Sequence, residues 1–381
     1  MKILTLNIWG APYAKHRRER IEALAQHLEQ AHLSPDILCF QEVYLPENRT
    51  DLIDFLKYGW THFHYFPSGL VGSGLLTMSK YPIVDTAFYK FRMQGKPEDI
   101  KRGDYYAGKG VGLTRIDTPE GVVDVYNCHT HAQYDPDNDN EYAVYNETNL
   151  YDVVRFVDSH SGASPVILCG DLNTRPDQIG YEIVTQLGSL VDVAYHVKGT
   201  HPITFDSRNP YVQSDDQCLD YVLVRHVAVE SVAVAMDEFL IGGVAQAFSD
   251  HYGLIAEFSL RGERLHSTDN QIAPTFETLH HRVTDTLYDA EAEQIAYWER
   301  AFFGLGSVID GFLLGGFIKR YSETWARRLR WIGFLMAVCF AFYNMIQAGI
   351  NLQNRKNTLK SIKSELDVQR EANRLFDGRE L

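Results

Sequence analysis

Between residues 1 and about 260, hydrophobic and polar positions alternate on a short scale. Short apolar runs are cut by Gly, Pro, Asn and Asp, which is the spacing of strands bounded by turns. On that ground KILTLNIW, DILCFQEV, GLLTM, GVGLTRI, VVDVYNCHTH, PVILCGDLN, LDYVLV and LIAEFSL are predicted strands. Two stretches break the rhythm. Over 17–31, Ile21, Leu24, Ala25 and Leu28 recur at helical spacing, and 147–158 reads in the same way. Many strands with few helices predict an α+β protein, with two sheets packed face to face and helices outside them.

After 260 the pattern changes. Residues 261–273 are polar and read as a linker, and 275–300 read as a helix. Residues 301–318 are apolar apart from Asp310 and Ser307, and 319–330 carry five positive charges against one negative. Residues 331–350 hold no charge, enough for about 30 Å of helix. The expected organisation is a folded domain at 1–260, a linker and helix at 261–300, a membrane region at 301–350 and a charged helical tail at 351–381. The membrane region is read as a hairpin of two spans, with an interfacial helix at 301–318 as the alternative. Asp310 costs such a span roughly 2.5–3.5 kcal/mol, and Gly311-x-x-x-Gly315 offers a close helix contact.

Charge is unevenly spread. Residues 1–260 hold 20 Lys and Arg against 35 Asp and Glu, so the front domain is acidic and suited to cations rather than to nucleic acid. Cys39, Cys128, Cys169, Cys218 and Cys339 show neither metal-ligand spacing nor a disulfide pattern, which fits a reducing compartment. MKILTLNIWG has too short an apolar run for a signal peptide. The basic 319–330 segment favours a cytosolic loop, which in a hairpin would place the front domain outside. The cysteines and the N-terminus argue the other way. The reading adopted is an integral protein of an intracellular membrane with a cytosol-facing front domain.

VILCGDLNTRP (166–176) carries the first candidate chemistry: a buried strand delivers Asp171 and Asn173 two residues apart. Gly, Asp, Asn and Pro are also ordinary turn residues. Other strand ends repeat the arrangement. Asn7 ends the first strand, Glu42 ends DILCFQE, His129 and His131 close VYNCHTH, Asp220 opens LDYVLV, and Asp250 and His251 precede the last strand. Each alone reads equally as a turn, a cap or a satisfied histidine. Glu42 is the exception, because a carboxylate beside a core needs a partner.

Together, in this order, the strand-end Asn, QE, HxH, GDLN, the D-Y strand and SDH resemble the endonuclease/exonuclease/phosphatase superfamily over residues 1–260. LNIWG, GKGVGLTRIDTPEG, VYNCHTHAQY and SDHYGLIAEF, with a hydrophobic region after the domain, resemble its neutral sphingomyelinases. The resemblance implies a DNase I-like four-layer α/β sandwich: two mixed sheets flanked by helices, followed here by C-terminal membrane helices. Where that pattern has a basic residue and a Gln after the HxH strand, this chain has Asn146 and Asn149 in YNETN.

The resemblance also implies Mg²⁺-dependent phosphodiester hydrolysis, with Mn²⁺ as a substitute ion. Such chemistry needs charge neutralisation, a positioned water and a base for it. Glu42, Asn7 and Asp250 are then the expected metal ligands. Asp171 and Asn173 hold the water, and His251 is the base, oriented by Asp220. His129 donates to a phosphoryl oxygen. Lys109, with Asp104 as its partner, and His131 are expected near the substrate; GDYYAGKGVG lacks the Walker A pattern. The expected substrate is sphingomyelin in a bilayer, cleaved to ceramide and phosphocholine, with no nucleic-acid partner. Alternatives are a phospholipase C on lyso-phospholipids or inositol phosphosphingolipids, a nuclease-type phosphodiesterase, or an inactive membrane scaffold.

Overall fold

The computed structural model describes residues 1–30, 34–134, 142–237, 239–241, 244–265, 272–317 and 324–377. They form two compact units, Met1–Thr278 and Leu279–Leu381. In chain order the strands are β1 (Lys2–Asn7), β2 (Ile37–Gln41), β3 (His62–Tyr65), β4 (Leu76–Ser79), β5 (Ile83–Lys90), β6 (Gly110–Thr118), β7 (Gly121–His129), β8 (Val166–Asp171), β9 (Val191–Asp192), β10 (Asp220–Arg225), β11 (Ala228–Ala235), β12 (Phe239–Ile241), β13 (Val244–Gln246) and β14 (Gly253–Ser259). The helices are α1 (Arg17–Gln30), α2 (Pro46–Leu56), α3 (Asp104–Ala107), α4 (Ala143–Ser161), α5 (Ile179–Glu182), α6 (Val193–Lys198), α7 (Ile272–Phe317), α8 (Thr324–Ile346) and α9 (Leu352–Asp377).

The first unit has two six-stranded mixed sheets, ordered β11-β14-β1-β2-β4-β3 and β5-β6-β7-β8-β10-β9, and a small β12-β13 ribbon. Period-two alternation sorts the side chains. Ile3, Ile37 and Cys39 of the first sheet meet Val123, Val125, Ile167, Cys169, Val222 and Val224 of the second. Leu4, Leu6, Leu38 and Phe40 point the other way, onto Ile21, Leu24 and Leu28 of α1 and Leu52 and Leu56 of α2. On the far side Tyr126 of β7 meets Phe156 of α4, with ring centroids 5.9 Å apart. The four-layer sandwich expected from the sequence is therefore present.

All eight predicted strands form. The pattern missed β3, β5 and β11, which carry half-buried or exposed positions and lie at or next to sheet edges. It also missed α2, whose proline sits in the first turn, where a missing N–H costs nothing. The first unit runs past residue 260. Thr275 Oγ1 donates to Glu182 and Gln186 at 3.2 and 2.9 Å, and Phe276 is 4% exposed. The opening turn of α7 therefore belongs to the sandwich, and the helix continues without a break at residue 300.

In the second unit α7 and α9 share an apolar seam of Leu279, Val283, Ala290, Leu359, Ile362 and Leu366, laced by His280–Asp367 (2.6 Å) and Arg355–Glu293 (3.0 Å). A Cβ added at Gly304 of α7 would lie 3.0 Å from Ala341 Cβ of α8, so those two helices approach closely there. Among the described residues, nothing lies within 4 Å of a Cβ placed at Gly311. The expected basic turn falls partly on 318–323, outside the described residues. Among the described residues, one helix, Trp331–Ala372, is long and apolar enough to cross a membrane. Its Trp331, Leu335, Met336 and Phe342 are all more than 60% exposed.

A chain ending at Thr278 is expected to melt above one ending at Arg261, since the shorter chain loses Phe276 and its neighbours. Loss of a buried aromatic costs about 3 kcal/mol, which is roughly 6–12 °C for a unit of this size. Equal melting temperatures would place the α7 turn outside the folding unit.

Candidate active site

Strand register assembles the site. In β8, Asp171 pairs with His129 on the parallel neighbour β7 and with Asp220 on the antiparallel neighbour β10. Asn7 pairs with Gln41, one residue before Glu42. Asn7, His129, Asp171 and Asp220 all lie on the inner faces, at one end of the core between the sheets. Beneath them Gln41 donates to Asn127 across the two sheets at 2.8 Å. Gly170 makes the β7–β8 approach possible: its φ is +136°, and a Cβ there would lie 2.0 Å from Cys128 O.

Residues just past the strand ends adopt left-handed backbone that side chains other than glycine seldom accept: Trp9 (φ 48°), Glu42 (φ 60°) and Asn173 (φ 45°). Each such residue costs about 1–3 kcal/mol, so the surrounding bonds must hold it. Asn173 N donates to Asp171 Oδ1 at 3.0 Å, and Trp9 N to Asn7 Oδ1 at 3.0 Å. Arg20 is fully buried and donates to Ile8 O, Trp9 O and Phe248 O at 2.8, 2.9 and 2.9 Å. It ties the loop after β1 to the segment carrying Asp250 and His251.

The side chains converge on Asp171. Asn7 Nδ2 donates to Asp171 Oδ2 at 2.9 Å and to Glu42 Oε1 at 3.2 Å. His251 Nε2 stands 3.8 Å from Asp171 Oδ2, while its Nδ1 meets Asp220 Oδ2 at 2.8 Å. Lys109 Nζ lies 2.6 Å from Asp104 Oδ1, donates to Thr130 O at 2.9 Å and meets His129 Nε2 at 3.0 Å.

Trp9 N donates to Asn7 Oδ1, so the Asn7 amide NH₂ faces the Asp171 and Glu42 carboxylates and one lone pair of its oxygen is taken up by the backbone. The Lys109 ammonium stands against His129 Nε2, and both side chains line the cavity.

Burial raises Glu42 to about 7, with further help from Asp250, and raises Asp171 to about 6. Asp250 is also raised by burial. Burial alone would depress His251, but Asp220 and Asp171 outweigh it and lift the imidazole well above its usual value. Burial, then Lys109, holds His129 well below the usual range, so it is neutral.

A cavity of about 750 Å³ opens over this cluster, lined by Glu42, Asp104, Lys109, His129, Asp171, Asn173, Asp250 and His251 among others. Asn7 and Asp220 are not among its lining residues and act from behind. His131 is set apart from it: its ring stacks on Tyr142 at 4.7 Å, and its Nδ1 meets Ala132 O at 2.7 Å. The unusual Asn146 and Asn149 are structural. Asn146 donates to Thr130 Oγ1, His131 O and Leu172 O, and Asn149 accepts from His131 N. Tyr44, Gln133, Arg175 and Gln178 also line the cavity. The sequence pattern missed them because they sit on loops with no periodicity.

Asp171, Asp220 and His251 bring three ligand atoms within 4.8 Å of one another. The short Asp220–His251 bond makes this a proton-handling group rather than a cage. Glu42 and Asp250 fit a hard cation better. Both line the cavity, and a cation between them would offset the burial and the Asp250 repulsion that disfavour the Glu42 carboxylate.

Fold and site together define a two-sheet sandwich with a carboxylate–histidine cluster at one end of its inner core. The chain belongs to the Endonuclease/Exonuclease/phosphatase family, which it matches over residues 4–251. It is 34% identical over 68% of its length to a Drosophila melanogaster protein provisionally named a neutral sphingomyelinase, and 30% identical over 68% to Sphingomyelin phosphodiesterase 2 of Homo sapiens. It is 31% identical over 55% to Inositol phosphosphingolipids phospholipase C of Saccharomyces cerevisiae. These matches span 61%, 65% and 48% of the relatives' own lengths. Among solved structures, a sphingomyelinase C from Streptomyces griseocarneus shares the fold at TM-score 0.52 and 18% identity, covering 68% of this chain and 99% of that one. Caenorhabditis elegans TDP2 shares it at TM-score 0.54 and 19% identity, covering 68% and 74%.

The raised Glu42 has a stability consequence. Its folded value, about 7, lies above the ordinary glutamate value of 4.5. Its stabilising share is therefore complete below the unfolded value and lost as pH rises through about 7. In EDTA, Glu42→Gln is expected to melt above the unaltered protein at pH 8, with the difference closing by pH 5. An unchanged difference between the two pH values would contradict the assignment.

Proposed function

We propose that the protein is a Mg²⁺-dependent phosphodiesterase held at a membrane, which hydrolyses sphingomyelin to ceramide and phosphocholine. The observation that carries this reading is His251 set between Asp220, at 2.8 Å, and Asp171, at 3.8 Å, on the wall of the 750 Å³ cavity. Such a pair can take a proton from water in the cavity and return it to the departing oxygen.

In this reading Asp220 fixes the His251 tautomer, so Nε2 faces the cavity. Asp171 and Asn173 hold the attacking water. Its oxygen bonds to phosphorus as the bond from phosphorus to the ceramide oxygen breaks, and its proton passes through His251 to that oxygen. The Lys109 ammonium, supported by His129 and Asp104, neutralises a phosphoryl oxygen. Glu42 and Asp250 would hold magnesium, which supplies charge neutralisation at the phosphate and the leaving oxygen. A beta toxin of Staphylococcus aureus with the same fold carries bound magnesium ions, which supports that ion; manganese shares its preference for oxygen ligands.

The uncharged 331–350 run fits an integral anchor in an intracellular membrane with the first unit facing the cytosol. Anchoring raises the effective concentration of a substrate that stays in the bilayer. The yeast relative's printed name favours a second reading, in which the headgroup is inositol phosphate on the same sphingolipid bond.

The test is turnover of the full chain in detergent micelles holding sphingomyelin, an inositol phosphosphingolipid or lyso-phosphatidylcholine, with abasic DNA as a separate substrate, each with Mg²⁺ or EDTA. Sphingomyelin is expected to turn over fastest, with Mg²⁺ only, and His251→Ala is expected to lose at least about 10²-fold. Preference for the inositol lipid would install the second reading. Cleavage of DNA alone, or near-normal turnover by His251→Ala, would overturn both.

A further inference from the structure

Around the mouth of the cavity, side chains that would ordinarily be buried are held in water. Tyr13 is 70% exposed, Leu70 80%, Val71 45% and Ile100 72%, and all four line the same cavity. They come from three separate loops: the one after β1, the one between β3 and β4, and the one before α3.

These tips are built to stay where they are. Leu70 N and Val71 N both donate to Tyr106 O, at 3.0 and 3.3 Å. Gly69 (φ +56°) and Gly108 (φ +62°) press backbone on backbone, so closely that a Cβ on Gly69 would lie 2.7 Å from Gly108 N. Ile100 sits in a turn closed by Asp99 N to Lys96 O at 3.1 Å and Gly103 N to Asp99 O at 3.3 Å. A loop fixed this firmly does not expose leucine and isoleucine by fraying. Scattered surface apolar residues are ordinary, but several gathered at one opening mark an interaction surface.

Charge selects the occupant. Of the lining residues, the acidic ones are Glu42, Asp104, Asp171 and Asp250, whereas Lys101 and Arg102 follow Ile100 directly and Arg175 lines the cavity too, Arg102 and Arg175 each also meeting a carboxylate, Asp99 and Asp177. Apolar tips with cations next to them, on an otherwise acidic domain, match a bilayer surface: acyl chains for the tips and phosphates for the cations.

We infer that this rim is a membrane-docking surface, in which Leu70, Val71 and Ile100 enter the lipid so that the cavity opens directly onto the headgroup layer. The inference rests on the reading of the substrate as a bilayer lipid. It adds a second point of attachment, on the first unit itself, distinct from the C-terminal helix. A lipid headgroup can then enter the cavity while its chains remain among their neighbours.

The direct test uses the full chain with Cys339→Ser, the other cysteines being buried, and one new cysteine at Leu70, at Ile100 or, as control, at Tyr195. Tyr195 is 55% exposed and does not line the cavity. Each is labelled with a polarity-sensitive dye and reconstituted in phosphatidylcholine vesicles, with or without nitroxide on the acyl chains. The dye at positions 70 and 100 is expected to shift to the blue and be quenched, and that at 195 to do neither. Dyes at 70 and 100 that stay in water overturn the inference, as they would if a protein partner were the occupant. This readout needs no turnover, so it stands or falls apart from the reaction assigned above. In a second measurement, the triple variant Leu70→Ser, Val71→Ser, Ile100→Ser is expected to lose at least tenfold on sphingomyelin in vesicles and to keep its rate on a dispersed short-chain analogue. Equal loss on both would overturn the docking role.

Discussion

One register constraint organises the first unit: Asp171 of β8 must lie opposite His129 on one side and Asp220 on the other. A slip of one residue on either side would turn these side chains to the outer face, because strand side chains alternate. Gly170 enforces the close passage of β7 and β8, and the buried Gln41–Asn127 bond ties the two sheets together one layer below. The core and the site are therefore the same construction, with Val125, Ile167 and Val222 packed along its length and the polar ends gathered at one opening.

That construction concentrates negative charge in a place short of water. Three carboxylates, Glu42, Asp171 and Asp250, are all raised by burial. Asn7 and the protonated His251 absorb part of the charge, and a divalent ion would absorb much more. Lys109 belongs to a separate arm, with Asp104 and Thr130 O as partners and His129 between it and Asp171. His129 Nε2 stands 3.5 Å and His251 Nε2 3.8 Å from the same Asp171 oxygen.

Much of this was legible in the chain. Polar residues at the ends of buried runs mark Asn7, Glu42, His129, Asp171 and Asp220; each alone except Glu42 reads equally as a turn, a cap or a satisfied histidine, and it is the set in its order that stands out. The sequence does not reveal which way an amide points: the backbone N–H of Trp9 turns the Asn7 NH₂ toward Asp171 and Glu42. His131 is expected near the substrate with His129, but the strand ends at His129, and beyond it the chain turns the second ring against Tyr142. Nothing in the periodicity of 17–31 singles out Arg20. Its role depends on backbone carbonyls from residues as distant as Phe248. Edge strands and the run of α7 past residue 300 were equally hidden, because half-exposed positions dilute the periodic signal.

The central claim is that Asp220 poises His251 as the base. The most direct measurement is the pH dependence of kcat/KM for the unaltered chain and for Asp220→Asn, with saturating Mg²⁺. Asp220 raises the imidazole, and the base must be neutral to act, so activity should rise with pH through the His251 value. With the carboxylate gone, that acidic limb should move to lower pH while the plateau falls. An acidic limb that keeps its position, with an undiminished plateau, would contradict the claim.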